Sequence, residues 1–336
     1  MKKEKVNLLL TTLALLIIMA SMTGILFVKG MQEKNAADTL RRAGEQTVYN
    51  MLLLGRDASA GLCDVMVLVS IDTEHGNVGI MQIPRDTYFN YTSGSYKKIN
   101  GAPNALGTER FSNALADAMG LKIDYYLVLN FDTVIEMVDM VSGVEIDIPR
   151  DIIYNDDENT SIKFKAGKQT LDGKSALDFL RYRAGYAMGD LGRIDAQKLF
   201  INAFIKRMGQ QKNPIIFLDL LNVILRKCDT NIREQDVISL GLKCSKKRGG
   251  QIVYLTAPGE AVQSAESGAW YYVLSRSATA EALGEYFGTS KNADDFDRNK
   301  KFVDNNKKSF YDIYNKHCEY RIYSAREIEN NEININ

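Results

Sequence analysis

The sequence predicts an α/β sandwich, a mixed central β-sheet covered by helices, behind one N-terminal transmembrane helix. Three observations lead there. Short apolar runs of strand character alternate with segments of helical apolar spacing, the pattern of a sheet flanked by helices. Two early strand runs are joined by the short turn Glu74-His75-Gly76, so the sheet includes a hairpin and is mixed. The first apolar run, residues 6–28, carries no charge. It is long enough to cross a hydrocarbon core of about 30 Å as a helix.

Lys2, Lys3 and Lys5 precede that run and favour a cytoplasmic N-terminus, with the body of the protein outside. A cleaved signal peptide is the rival reading, but its apolar core is usually shorter and ends at small residues. Residues 30–47 are polar and read as a helical stalk. Strands are expected at 48–54, 64–71 and 77–83. The second is almost continuously apolar, as a strand buried on both faces should be. A helix is expected at 111–119, a strand at 125–129 and a helix at 133–141. In that helix Val134, Met137, Val138 and Val141 share one face. Residues 144–148 alternate apolar and acidic before Pro149, as in a half-exposed strand. Helices at 173–182, 193–208 and 215–225, a strand at 252–255 and a helix at 278–286 follow. From 289 the chain turns polar and charged and reads as a weakly structured tail. The expected layout is a tip and anchor at 1–29, a stalk at 30–47, one folded domain at 48–288 and a tail at 289–336.

Among 336 residues, Lys plus Arg and Asp plus Glu both total 42. That balance argues against a general nucleic-acid binder, so any basic site must be local. With His75 and His317 as the only histidines, a histidine metal centre or a Ser-His triad is disfavoured. Cys63, Cys228, Cys244 and Cys318 show no metal-type CxxC spacing. Outside the cytoplasm Cys228 and Cys244 could pair, and free thiols are an equal alternative.

Charges punctuate the ends of apolar elements. Arg85 follows a strand in Gln82-Ile83-Pro84-Arg85-Asp86-Thr87-Tyr88, Arg181 and Arg183 end a helix, and Arg193 follows Gly189-Asp190-Leu191-Gly192. Arginine stays charged and grips phosphate bidentately, and the start of the Arg193 helix would add N–H donors. Together these groups suit a diphosphate. Taken singly, each arginine is as well explained by a surface ion pair. Asp57 follows the first strand and Asp64 opens the second. If the topology joins those ends near Arg85, two carboxylates beside phosphate suit Mg²⁺. Turn and cap roles are the alternative.

Several motifs resemble the LytR-CpsA-Psr family of cell-wall enzymes over residues 49–286. They are Leu53-Leu54-Gly55-Arg56-Asp57, Cys63-Asp64-Val65-Met66, the Arg85 motif, Lys98-Ile99-Asn100-Gly101-Ala102, Asp124-Tyr125-Tyr126, Val141-Ser142-Gly143-Val144-Glu145-Ile146-Asp147-Ile148-Pro149, Leu171-Asp172-Gly173-Lys174-Ser175-Ala176-Leu177, and Gly189-Asp190-Leu191-Gly192-Arg193. The resemblance implies a membrane-anchored enzyme with an extracytoplasmic domain of the family's α/β sandwich type. Such an enzyme is a phosphotransferase that moves glycopolymers, teichoic acid or capsule, from an undecaprenyl-diphosphate carrier to peptidoglycan. It implies catalytic roles for Arg85, Arg181, Arg183, Arg193 and Asp64, and Mg²⁺ on Asp57 and Asp64. Arg56, Asp86, Lys98, Asn100, Asp190 and Gln197 are expected to bind substrate. Partners would be the polyprenyl-diphosphate lipid, peptidoglycan and the membrane, with no nucleic acid. The chain departs from the family where arginines usually stand: Leu62 lies two residues before Asp64, and Ala196 precedes Gln197. Either this member uses a different substrate, or its activity is weak, or Arg56 or a lysine substitutes. A non-catalytic polyprenyl-phosphate-binding regulator is the alternative function.

Overall fold

The computed structural model describes residues 46–57, 61–155, 161–182, 185–186, 189–213, 215–245 and 250–333. The expected anchor, the stalk up to residue 45, and Arg183 lie outside the described residues. Among the described residues no helix is long and apolar enough to cross a membrane.

In chain order the elements are β1 (Val48–Arg56), β2 (Cys63–Asp72), β3 (Val78–Gln82), α1 (Ala102–Leu106), α2 (Thr108–Met119), β4 (Tyr125–Leu129), α3 (Phe131–Met140), β5 (Val144–Ile148), β6 (Ile152–Asn155), β7 (Ser161–Phe164) and β8 (Gly167–Leu171). There follow α4 (Gly173–Arg181), α5 (Asp190–Gly209), α6 (Ile215–Lys227), β9 (Asp229–Thr230), α7 (Glu234–Ser245), β10 (Ile252–Thr256), β11 (Gly259–Gln263), β12 (Trp270–Leu274), α8 (Arg276–Tyr286), α9 (Lys308–Asn315), β13 (Ile322–Ser324) and α10 (Ala325–Glu329).

A seven-stranded sheet runs in the order β13-β10-β3-β2-β1-β4-β9. It is mixed, as expected. β1 and β4 are parallel, β3 and β10 are parallel, and β2 is antiparallel to both β1 and β3. Alternate side chains divide between two cores, as the period of a strand requires. Leu52, Leu54, Leu68 and Met81 pack with Phe111 and Leu115 of α2 and Leu283 of α8. Val67, Val69 and Ile80 pack on the other face with Val138, Phe179, Leu199 and Phe200. Each fully buried side chain of this size adds about 1.5–3 kcal/mol. Together they fix the register on which the site depends.

The structure corrects two expectations. Residues 289–333 are folded rather than weakly structured. Phe296, Phe302, Phe310 and Tyr314 are buried in the α2/α8 core, and β13 pairs antiparallel with β10 at the sheet edge. Polar composition hid these few large aromatics, which do the packing. The helix expected at 193 starts at Asp190, because Gly189 takes φ 56°, a conformation open to glycine, and caps it there. β5 is a half-exposed strand, as expected, and it pairs with β8 in a small separate sheet. All four cysteines are free thiols, the second of the two alternatives that the sequence left open.

Candidate functional site

The sheet topology gathers the charged residues. β1 and β2 are antiparallel, so the end of β1 meets the start of β2 with Leu54 opposite Met66. β2 and β3 are antiparallel in turn, with Val67 opposite Gln82. Asp57, Asp64 and Arg85 therefore share one end of the sheet. The condition the sequence left open is met.

Beyond β3 the chain turns sharply. The Thr87 hydroxyl and amide both donate to the Pro84 carbonyl, at 2.6 and 3.0 Å, and the Asn100 amide donates to the Arg85 carbonyl at 3.2 Å. This fixes the Arg85 backbone, and α5 is set against it. One oxygen of Asp190 lies 2.7 Å from Arg193 Nη2 and 3.3 Å from Arg85 Nε. Arg85 Nη1 also donates to Asp64 Oδ1 at 2.9 Å, and Arg193 Nη2 to the Asp64 carbonyl at 3.4 Å. Arg193 is buried, with 5% of its side chain exposed. A cation that deep stands only with such partners.

Burial pushes the Asp190 carboxyl above its ordinary range. Arg193 and Arg85 pull it back down, and Asp86 and Asp64 add to the rise. For Arg85, burial works against the charge, but Asp190 and Asp64 outweigh it and hold the guanidinium above its ordinary value. The cluster is thus a set of fixed cations held by carboxylates.

A cavity of about 300 Å³ opens at the cluster, lined by Asp57, Asp64, Arg85, Arg181, Arg193 and Gln197 among others. Arg181 ends α4 with its guanidinium 4.7 Å from the centre of the Phe131 ring, a cation–π contact. Gln197 is buried; its oxygen accepts from Gln82 Nε2 at 3.0 Å and its nitrogen donates to the Leu180 carbonyl at 3.4 Å. A second cavity of about 180 Å³, walled by apolar side chains and Gln197, adjoins the first through Gly55, Val65, Leu129, Val134 and Leu180.

Five expected substrate binders, Arg56, Asp86, Lys98, Asn100 and Asp190, do not line the polar cavity. Arg56 turns to Thr108, donating to its hydroxyl at 3.1 Å, which in turn donates to Asp229. It is no stand-in for the arginine absent at Leu62. Lys98 pairs with Asp86 at 3.0 Å, and Asn100 accepts from the Tyr96 hydroxyl at 2.9 Å. These side chains brace the loop after β3. Ala196 is fully buried in the core below the site.

Arg150 was missed. It donates to the Gly185 carbonyl and lies 5.6 Å from the centre of the Tyr186 ring, so it ties β5 to the segment between α4 and α5. Tyr186 in turn packs so closely on Gly192 that a Cβ there would fall 2.5 Å from the tyrosine Cβ. The available signal was the tetrapeptide Ile148-Pro149-Arg150-Asp151, which repeats Ile83-Pro84-Arg85-Asp86.

No group of three or more Asp, Glu, His or Cys residues able to hold a metal occurs among the described residues. Asp57 and Asp64 line one cavity beside cations. Two carboxylates fit Mg²⁺, which keeps waters and takes phosphate oxygens.

A model of the LytR_cpsA_psr family matches residues 22–286. The chain belongs to that family. It is 30% identical over 202 residues to the polyisoprenyl-teichoic acid–peptidoglycan teichoic acid transferase TagV of Bacillus subtilis (strain 168), a match covering 57% of this chain and 52% of that relative. It thus spans about half the length of TagV. It is 28% identical to the transferase of the same description named TagU from Oceanobacillus iheyensis, over 69% of this chain and 72% of that one. The crystal structure of B. subtilis TagV superposes with a TM-score of 0.61 at 26% identity, over 73% of this chain and 99% of that one. A structure of TagT bound to LIIa-WTA shares the fold, with a TM-score of 0.56 at 21% identity over 72% of this chain and 91% of that one. The family match ends at residue 286, before the folded C-terminal segment.

Proposed function

We propose that this chain is a phosphotransferase that attaches a glycopolymer of teichoic acid or capsule type, carried on undecaprenyl diphosphate, to peptidoglycan. One observation carries the reading: a cavity lined by Arg85, Arg181 and Arg193 adjoins a cavity walled by apolar side chains. That pairing suits a ligand with a diphosphate head and a hydrocarbon tail. The relatives named as teichoic acid transferases support it.

In this reading a peptidoglycan hydroxyl attacks the sugar-linked phosphorus. A new P–O bond forms, the bond to the bridging oxygen breaks, and prenyl phosphate leaves. Asp64, at the mouth of the cavity and one-third exposed, takes the hydroxyl proton. Arg85, Arg181 and Arg193 stabilise charge on the diphosphate, with Arg183 as a further expected member. Catalysis then rests on positioning and fixed charge. Mg²⁺ would be held by Asp57 and Asp64 and would neutralise phosphate charge when bound. Residues 6–28 would anchor the chain in the membrane, with the domain outside.

Replacing Arg85 with alanine is expected to cut transfer of a lipid-linked polymer to peptidoglycan by about 100-fold or more, with the fold kept by circular dichroism. Full activity in Arg85→Ala would sink the assignment. The cations absent at Leu62 and Ala196 favour one second reading, a domain that binds polyprenyl phosphate without turnover. Bound lipid with no transfer to any acceptor would select it.

A further inference from the structure

The apolar cavity beside the ion cluster is small for the tail proposed to fill it. At about 180 Å³ it is near the size that admits one benzene-sized guest. A chain of many isoprene units exceeds that several-fold, so most of the tail must pass out of the protein.

The surrounding helices define where. α5 starts at Asp190 beside the arginines and ends where Arg207 Nε donates to the Val141 carbonyl at 2.7 Å, at the far end of α3. Gln211 donates to the same carbonyl at 3.3 Å, and α6 begins four residues later. α6 then runs back to the arginine end, where Lys227 pairs with Glu136 at 2.6 Å and β9 joins β4. The start of α6 therefore lies at the sheet end opposite the arginines. β1 begins at that end too, so residues 1–45, with their apolar run at 6–28, join the domain there.

At this end α6 leaves Ile215 58% and Leu218 42% exposed, while Ile224, two turns on, lines the apolar cavity. Lys212 is exposed just before the helix. An apolar helix tip in contact with water, flanked by a lysine, suits a bilayer surface. We propose that the N-terminal end of α6 docks into the outer face of the bilayer, so that the lipid tail passes from cavity to membrane without crossing water. This rests on the lipid-carrier reading above.

Trp270 is the only tryptophan. It is 56% exposed at the start of β12, at the arginine end, where Tyr272 donates to the Asp86 carbonyl at 2.9 Å. It serves as the internal control. The full chain is reconstituted in phosphatidylcholine–phosphatidylglycerol vesicles with brominated acyl chains. The exposed-site variant Leu218→Trp/Trp270→Phe is expected to lose roughly half or more of its emission, and the wild type little. Equal quenching in the two proteins would overturn the docking. Transfer measured on the same vesicles separates the two readings. Quenching without transfer contradicts the enzyme assignment and leaves docking intact, whereas transfer without differential quenching contradicts docking alone.

Discussion

Asp190 holds two arginines in place, and in the proposed reaction it would compete with phosphate for them. Asp190→Asn removes that competitor and takes a carboxylate from both Arg85 and the buried Arg193. The variant should unfold at lower temperature than the wild type and bind inorganic pyrophosphate about tenfold more tightly (~1.4 kcal/mol). Calorimetric titration reads the second effect; unchanged affinity would mean that Asp190 does not gate the cluster. Asp297 offers a test away from the site. It is buried and accepts from the Phe302 amide at 2.9 Å and the Tyr314 hydroxyl at 3.1 Å. Burial pushes its carboxyl up to about 6, against these bonds. The folded state thus holds this proton more tightly than the unfolded chain. The contribution is full below pH ~4 and is lost as pH rises through about 6, of order 3 kcal/mol. Asp297→Asn should flatten that part of the stability profile, measured by urea denaturation between about pH 4 and 7. Arg85, Arg181, Arg193, Asp57 and Asp64 were legible in the sequence because a charge at the end of an apolar run faces a ligand or a partner. Arg56 misled because the next-door motif says nothing of which face a strand-end side chain takes. The bridge of Asp190 to Arg85 joins residues far apart in sequence, and only the fold reveals it.

The element that organises the site is α5, and its far face is held by the segment beyond the family match. Lys198, 2% exposed, pairs with Asp195 at 2.7 Å, donates to the Thr256 hydroxyl at 2.8 Å and lies 5.3 Å from the centre of the Tyr323 ring. Asn202 Nδ2 donates to the Ala325 carbonyl at 3.3 Å. The C-terminal segment also packs Phe302 on Phe89 and Phe310 on Tyr88, just past Arg85. It braces both halves of the site. Asp195→Ala should cost about 3–5 kcal/mol by stranding a buried lysine, and adding Lys198→Met should recover most of it. Equal instability in the single and double variants, by thermal melts, would show that the pair matters through packing instead. Helices with clear apolar spacing and the three strands around the site were legible from the sequence. The short hairpins β6/β7 and β11/β12 were not, because four or five residues carry too little periodicity. The C-terminal elements were hidden by their polar composition.

At the scale of the whole molecule, the mixed sheet sets a charged cluster at one end and the start of the chain's folded part at the other. An apolar cavity lies on the face between them. That layout would give the proposed diphosphate ligand and its tail a single direction along the sheet. The most direct test is native mass spectrometry of the full chain extracted from membranes in mild detergent. The wild type should carry a polyprenyl phosphate or diphosphate, and Arg85→Ala/Arg193→Ala should lose it while remaining folded. A wild-type protein free of any polyprenyl lipid, or a double variant that retains it fully, would contradict the assignment of this site.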